Sequence, residues 1–251
     1  MTEPLSAWIL AHALIFCRVG ATLITLPGYS SARIPVQARL FLAFALSLAI
    51  AQILAPAGMP SPIDQPVAFA RGVVSESLIG VALGLQVRVV FEALHFAATL
   101  MAQSIGYAGI GGLGVSDDAE QGAAVVALVT LVATTLLFAV NLHIRFLIVV
   151  ADSYRILPPS DPLMLHSTLD VLVHRLGDAF LLGVRLASPL VVLSILVNLC
   201  IALINKVSPV IPSFFIAQPL LLILGVLLFL IAVPSFFDEF IGILASWMDR
   251  I

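Results

Sequence analysis

The sequence predicts an all-α integral membrane protein with about six to seven long hydrophobic helices, and three observations carry that prediction. Of 251 residues, 61% are hydrophobic and only 10% charged, with a mean hydropathy of +1.18. Soluble domains carry about 25% charged residues, so a water-soluble fold of this length could not cover its surface. The apolar runs also recur at about the 20 residues needed to cross a hydrocarbon core of about 30 Å. They are too continuous for the two-residue alternation of a membrane barrel. Soluble enzymes, disulfide scaffolds and disordered chains are thereby excluded. The net charge of −3 gives no basic footprint, so nucleic acid is not expected as a partner. Residues 1–251 read as one membrane domain with no separate soluble domain.

The first run covers residues 5–26 and is ended by Pro27-Gly28. It is not a cleaved signal peptide, because it lacks a basic leader, contains Glu3 and carries Arg18 in its apolar stretch. The second covers 40–59 and closes in the Pro- and Gly-containing stretch 56–66. The third runs from 67 past Gly80 and Gly84 to 105, stopping at Gly106. As one helix it would be roughly 58 Å long, nearly twice a hydrocarbon core. It either breaks near Arg88 into a hairpin or packs within a larger protein assembly, and the second option is preferred. Further runs cover 123–150, 179–204 and 211–233, followed by a short amphipathic tail at 236–251. Cys17 and Cys200 lie in apolar runs and read as small hydrophobes.

Counting the long third run as two passes gives seven crossings. Arg33, Arg39, Arg88, Arg155 and Arg175 then share one side, against Glu3, Asp64, Asp117, Asp118 and Glu120 on the other. The basic side is expected to be cytoplasmic, with the N-terminus outside, although Lys206 dissents.

An ionisable group inside a span costs at least about 2.5–3.5 kcal/mol, which makes each one a functional candidate. Arg18, Arg71, Glu76, Arg88, Glu92, His95, Arg145 and Arg185 qualify; the plain alternative for each is a packed ion pair or a snorkelling end residue. Arg18, Arg71, Glu76 and Arg185 are expected to serve contacts between subunits. Arg88, Glu92, His95, Thr99 and Gln103 form a set of their own, falling within an arc of roughly 80° at 100° per residue. Such a wet stripe requires a polar partner or a water-filled passage. Arg18, Thr22 and Thr25 share a face of the first span, and Ser194, Asn198 and Asn205 a face of the sixth. Gly80 and Gly84 form a Gly-xxx-Gly pair that permits close helix approach.

Residues 106–114 contain Gly106, Gly109, Gly111, Gly112 and Gly114. Residues 109–114 satisfy the dinucleotide pattern G-x-G-x-x-G, but a helix precedes them and no acidic residue follows at the required spacing. What remains is a side-chain-poor loop, next to Asp117, Asp118 and Glu120, that could fill or vacate a narrow space or simply link two helices. The five histidines show no metal-ligand spacing, and neither a nucleophile elbow nor a phosphate loop is present. No cofactor and no enzymatic activity are expected.

Stretches along nearly the whole chain carry a family resemblance. They are Cys17-Arg-Val-Gly20, Pro27-Gly-Tyr-Ser-Ser-Ala-Arg-Ile-Pro35 and Arg39-Leu-Phe-Leu42. Glu76-Ser-Leu-Ile-Gly80 with Gly84 and Arg88 follows, then the glycine-rich loop and Asn141-Leu-His143. Asp152-Ser-Tyr-Arg-Ile-Leu-Pro158, Asn205-Lys-Val-Ser-Pro209, Ile211-Pro-Ser-Phe214 and Pro219 complete the set. In order and spacing these resemble the FliR/SctT family of type III secretion export-gate subunits. The chain departs from the usual pattern at Val210, Pro212, Ala217, Leu221 and Val115-Ser-Asp-Asp118, as a divergent branch would. The stretch 30–35 looks more like flagellar than virulence relatives.

The resemblance implies one copy in a gate with FliP and FliQ subunits, with FlhB at its base, in the bacterial cytoplasmic membrane. It implies helices raised largely out of the bilayer plane, in contact with both protein and lipid. The loop from Gly106 to about Gln121 would be a pore plug that closes the channel until unfolded flagellar export substrates pass. The alternatives are a virulence secretion gate and a small-solute secondary transporter using Arg88, Glu92 and His95 as a relay. Transporters usually show repeated halves, and this sequence has no clear repeat.

Overall fold

A computed structural model describes residues 3–31, 34–54, 66–105, 118–156, 165–208 and 213–248. Among these every regular element is helical: α1 Glu3–Thr25, α2 Val36–Leu54, α3 Pro66–Ser104, α4 Asp118–Ala139, α5 Leu142–Ile156, α6 Leu165–Val207 and α7 Ser213–Met248. Stretches of α1, α3, α6 and α7 are long and apolar enough to cross a membrane; α4 and α5, bent by 68° at their junction, are so only when taken together. The all-helical membrane class expected from composition is what the chain adopts.

Two compact units are present. The first comprises residues 1–89, 138–177 and 245–251, the second 90–137 and 178–244. In the first, α1 stops where Pro27 cannot continue it and Gly28 takes a φ of 88°. The Ser30 amide donates back to the Leu26 carbonyl at 2.9 Å, closing that turn. α2 packs on α1 and buries Ala43, Ser47 and Ile50 at helical spacing. Tyr29 lies edge-on to Phe138, 5.6 Å between ring centroids, and burial pushes its hydroxyl above the ordinary tyrosine range. In the second unit, α3 is the centre. Gly183 of α6 approaches Ala93 and Phe96, and Gly225 of α7 sits on Ile105. Phe91 meets Phe240 edge-on, and Phe96 stacks on Phe180.

Four expectations need correction. α3 runs unbroken through Arg88, so the third run is one helix as in the preferred option, and the seven-crossing count built on the hairpin alternative loses its basis. Arg88, Arg155 and Arg175 lie inside α3, α5 and α6 rather than in loops. The run 123–150 is two helices. Asn141 adopts a φ of 59°, ends α4 with its amide on the Phe138 carbonyl, and offers its own carbonyl to the first amides of α5. Asn is one of the few residues that enters this region readily. Finally, α6 begins at Leu165 rather than 179, and α7 continues through Pro219 and Pro234 to Met248, leaving no separate tail. The early part of α6 is charged enough to look like a loop. Yet Arg175, Ala179, Leu182, Leu186 and Leu190 form one buried helical stripe.

Candidate functional site: a buried ion pair and an outward polar stripe

In the first unit, the Gly-xxx-Gly pair of α3 and the Arg18–Thr22–Thr25 face of α1 meet each other. A Cβ on Gly80 would overlap the Arg18 carbonyl, and one on Gly84 would overlap Thr25 Oγ1 and come to 2.8 Å from the Thr22 carbonyl. Glycine here is a requirement of approach rather than of conformation. Thr22 Oγ1 donates to the Gly80 carbonyl at 3.0 Å and to its own Arg18 carbonyl at 2.8 Å, so the hydroxyl is satisfied inside the contact.

That close approach seats Arg18 against Glu76, one turn before Gly80. Nε donates to Oε2 at 2.7 Å and Nη2 to Oε1 at 2.9 Å, a two-pronged pair with both side chains at 0% exposure. α5 completes the surroundings. Arg18 Nη1 donates to Ser153 Oγ at 3.1 Å, Ser153 donates to the Val150 carbonyl at 2.7 Å, and the guanidinium stands 3.8 Å over the Tyr154 ring. Planar guanidinium suits both the fork and the aromatic face. A lone arginine near mid-span costs about 2.5–3.5 kcal/mol. The eight Leu, Ile, Val and Phe residues between Trp8 and Thr25 together return only roughly 2–5 kcal/mol on the insertion scale. Arg18 therefore nearly cancels the apolar gain of its own helix, and Glu76 supplies the compensation. The charges of Arg18 and Glu76 meet each other within the chain.

α3 also carries the predicted stripe. Arg88, Glu92, His95 and Gln103 are exposed and Thr99 half-buried, whereas Val87, Val90, Phe91, Leu94, Ala98, Met101 and Ala102 are buried. Thr99 Oγ1 donates back to the His95 carbonyl at 2.9 Å. From residue 88 to 103 one face of this helix is packed and apolar and the other outward and polar, within a longer stretch able to cross a membrane. Of the remaining candidates, Arg71 is exposed. Arg185 bridges Glu239 of α7 at 3.2 Å with 75% and 36% of the side chains exposed; in water a pair so open is worth about 0–1 kcal/mol. Gly106, Gly109, Gly111, Gly112 and Gly114 lie outside the described residues.

Two features escaped the sequence reading. Ser153 and Tyr154 belong to the ion-pair cluster, and their signal was present in Asp152-Ser-Tyr-Arg155, a stretch noted for resemblance but not for polarity. Arg175, 7% exposed, lies 4.5 Å over the Trp247 ring, joining the first part of α6 to the end of α7. The only hint was an arginine and a tryptophan far apart in sequence.

Long apolar helices held by a buried ion pair, with Val192, Ile195, Leu199, Leu203, Ile223, Leu227 and Leu230 bare on α6 and α7, define a helical integral membrane protein. Residues 9–246 match the family described as bacterial export proteins, family 1, and the chain belongs to that family. It is 32% identical to a flagellar biosynthetic protein FliR of Caulobacter vibrioides, over 95% of this chain and 91% of that one. It is 28% identical to the FliR protein of Aquifex aeolicus, over 90% and 86%, and 28% identical to that of Escherichia coli strain K12, over 100% and 97%. Its place is the bacterial cytoplasmic membrane. Three stretches that carried the resemblance, around Cys17–Gly20, Glu76–Gly80 and Asp152–Arg155, supply the partners of the buried ion-pair cluster.

Proposed function

We propose that this chain is a non-enzymatic subunit of the flagellar type III protein export gate, assembled with FliP and FliQ, with FlhB at the base. Unfolded rod, hook and filament proteins are its cargo. The observation that carries the reading is the polar face of α3, turned away from the chain's own packed side on a membrane-length helix. Lipid does not solvate such a face, whereas a neighbouring polypeptide or an aqueous path does. The flagellar names of the relatives favour a flagellar over a virulence gate.

Purification from native membranes in mild detergent, followed by intact-mass measurement, tests this reading. The mass should be that of a complex with other subunits; a free monomer, or self-association alone, contradicts it. The glycine-rich loop at 106–114 serves in this reading as a movable pore plug, supported by its composition and the family resemblance. Deleting residues 109–114 should make membranes holding the assembled gate leak ions. Tight membranes with normal export would remove the plug role.

A further inference from the structure

We propose that α1 is a conditional membrane segment: its crossing depends on Glu76, carried by a helix made later in the chain. The inference needs only the membrane setting and stands apart from the export-gate reading. α1 is the least apolar of the four crossing-length helices, and Arg18 sits close to the middle of its apolar stretch. Its apolar gain and the arginine are near balance, as worked out above, so the segment alone has little preference for the bilayer. The side chains that receive hydrogen bonds from the Arg18 guanidinium at Nε, Nη1 and Nη2 lie beyond α2. Glu76 is 58 residues on and Ser153 135 residues on, with the Tyr154 ring beside it. Among these three, Glu76 carries the neutralising charge. Ser153 offers one neutral oxygen, already donating to Val150, and Tyr154 a ring face.

The dependence runs one way. α3 contains an apolar stretch of 36 residues and holds its place without help from one carboxylate. Loss of Glu76 should therefore displace α1, whereas loss of Arg18 should leave α1 crossing. An ion pair that merely stabilised the packed unit would give no such asymmetry in topology.

The test uses the full chain in its native membrane, with Cys17 and Cys200 replaced by Ala and a single cysteine introduced as Thr2→Cys. A membrane-impermeant maleimide applied to intact cells and to inverted vesicles reports which side the N-terminus occupies, normalised to the chain present. Glu76→Leu should lower labelling from the parent's side about twofold, as a segment near balance divides between the two placements, and raise it from the other. Arg18→Leu and the double variant Arg18→Leu/Glu76→Leu should label as the parent does. The proposal is overturned if Glu76→Leu labels like the parent. It is equally overturned if Arg18→Leu shifts sides as Glu76→Leu does, or if the double variant stays displaced.

Discussion

Glu76→Ala is expected to destabilise the first unit by roughly 3–5 kcal/mol, because breaking a buried pair leaves one charge uncompensated. Arg18 would lose both carboxylate bonds, and the Ser153 hydroxyl and the Tyr154 ring carry no charge to replace them at a fully buried position. The readouts are a lower unfolding midpoint in mild detergent and a shorter half-life in the membrane after synthesis stops. Replacing both partners, as in Arg18→Met/Glu76→Met, should recover most of the loss, since apolar side chains of similar volume remove the desolvation cost along with the attraction. An unfolding midpoint unchanged by Glu76→Ala would contradict the structural role assigned to the pair.

Gly84→Ala should be the second large effect, and its sign is informative. Alanine in an open helical position usually stabilises by about 0.5–1 kcal/mol over glycine. Gly242, in α7, is such a position, with nothing within 4 Å of a built Cβ. At Gly84 the same methyl group collides with Thr25 Oγ1 and lies 2.8 Å from the Thr22 carbonyl. Separating the helices to admit it costs about 1–3 kcal/mol and lengthens the Thr22 to Gly80 hydrogen bond. Gly84→Ala should thus lower the unfolding midpoint while Gly242→Ala holds or raises it. Equal responses would mean that α1 and α3 are not in close contact at Gly84.

Much of this was legible from local pattern. Periodicity alone showed the Arg18–Thr22–Thr25 face, the Gly80–Gly84 pair and the stripe from Arg88 to Gln103, because each repeats at helical spacing within one element. That the first two are halves of one contact was not legible, since their separation of 58 residues leaves no periodic trace. Ser153 and Tyr154 were hidden for the same reason. Boundaries failed where a local rule was overridden. Proline normally ends a helix, yet α7 continues through Pro234, just past the expected end at 233, as membrane helices tolerate. The break at Asn141 carries neither glycine nor proline, only a residue able to take the left-handed conformation. Arg175 read as a loop charge because its stacking partner, Trp247, belongs to another helix.

Photo-crosslinking from the outward seam of α3 tells a protein neighbour from a lipid one. A photoreactive amino acid at His95, which is exposed in this chain, should be activated in intact native membranes and its adducts resolved by mass. The account predicts covalent adducts with other polypeptides: neighbouring subunits, or a chain in transit. Adducts with lipid alone would contradict it.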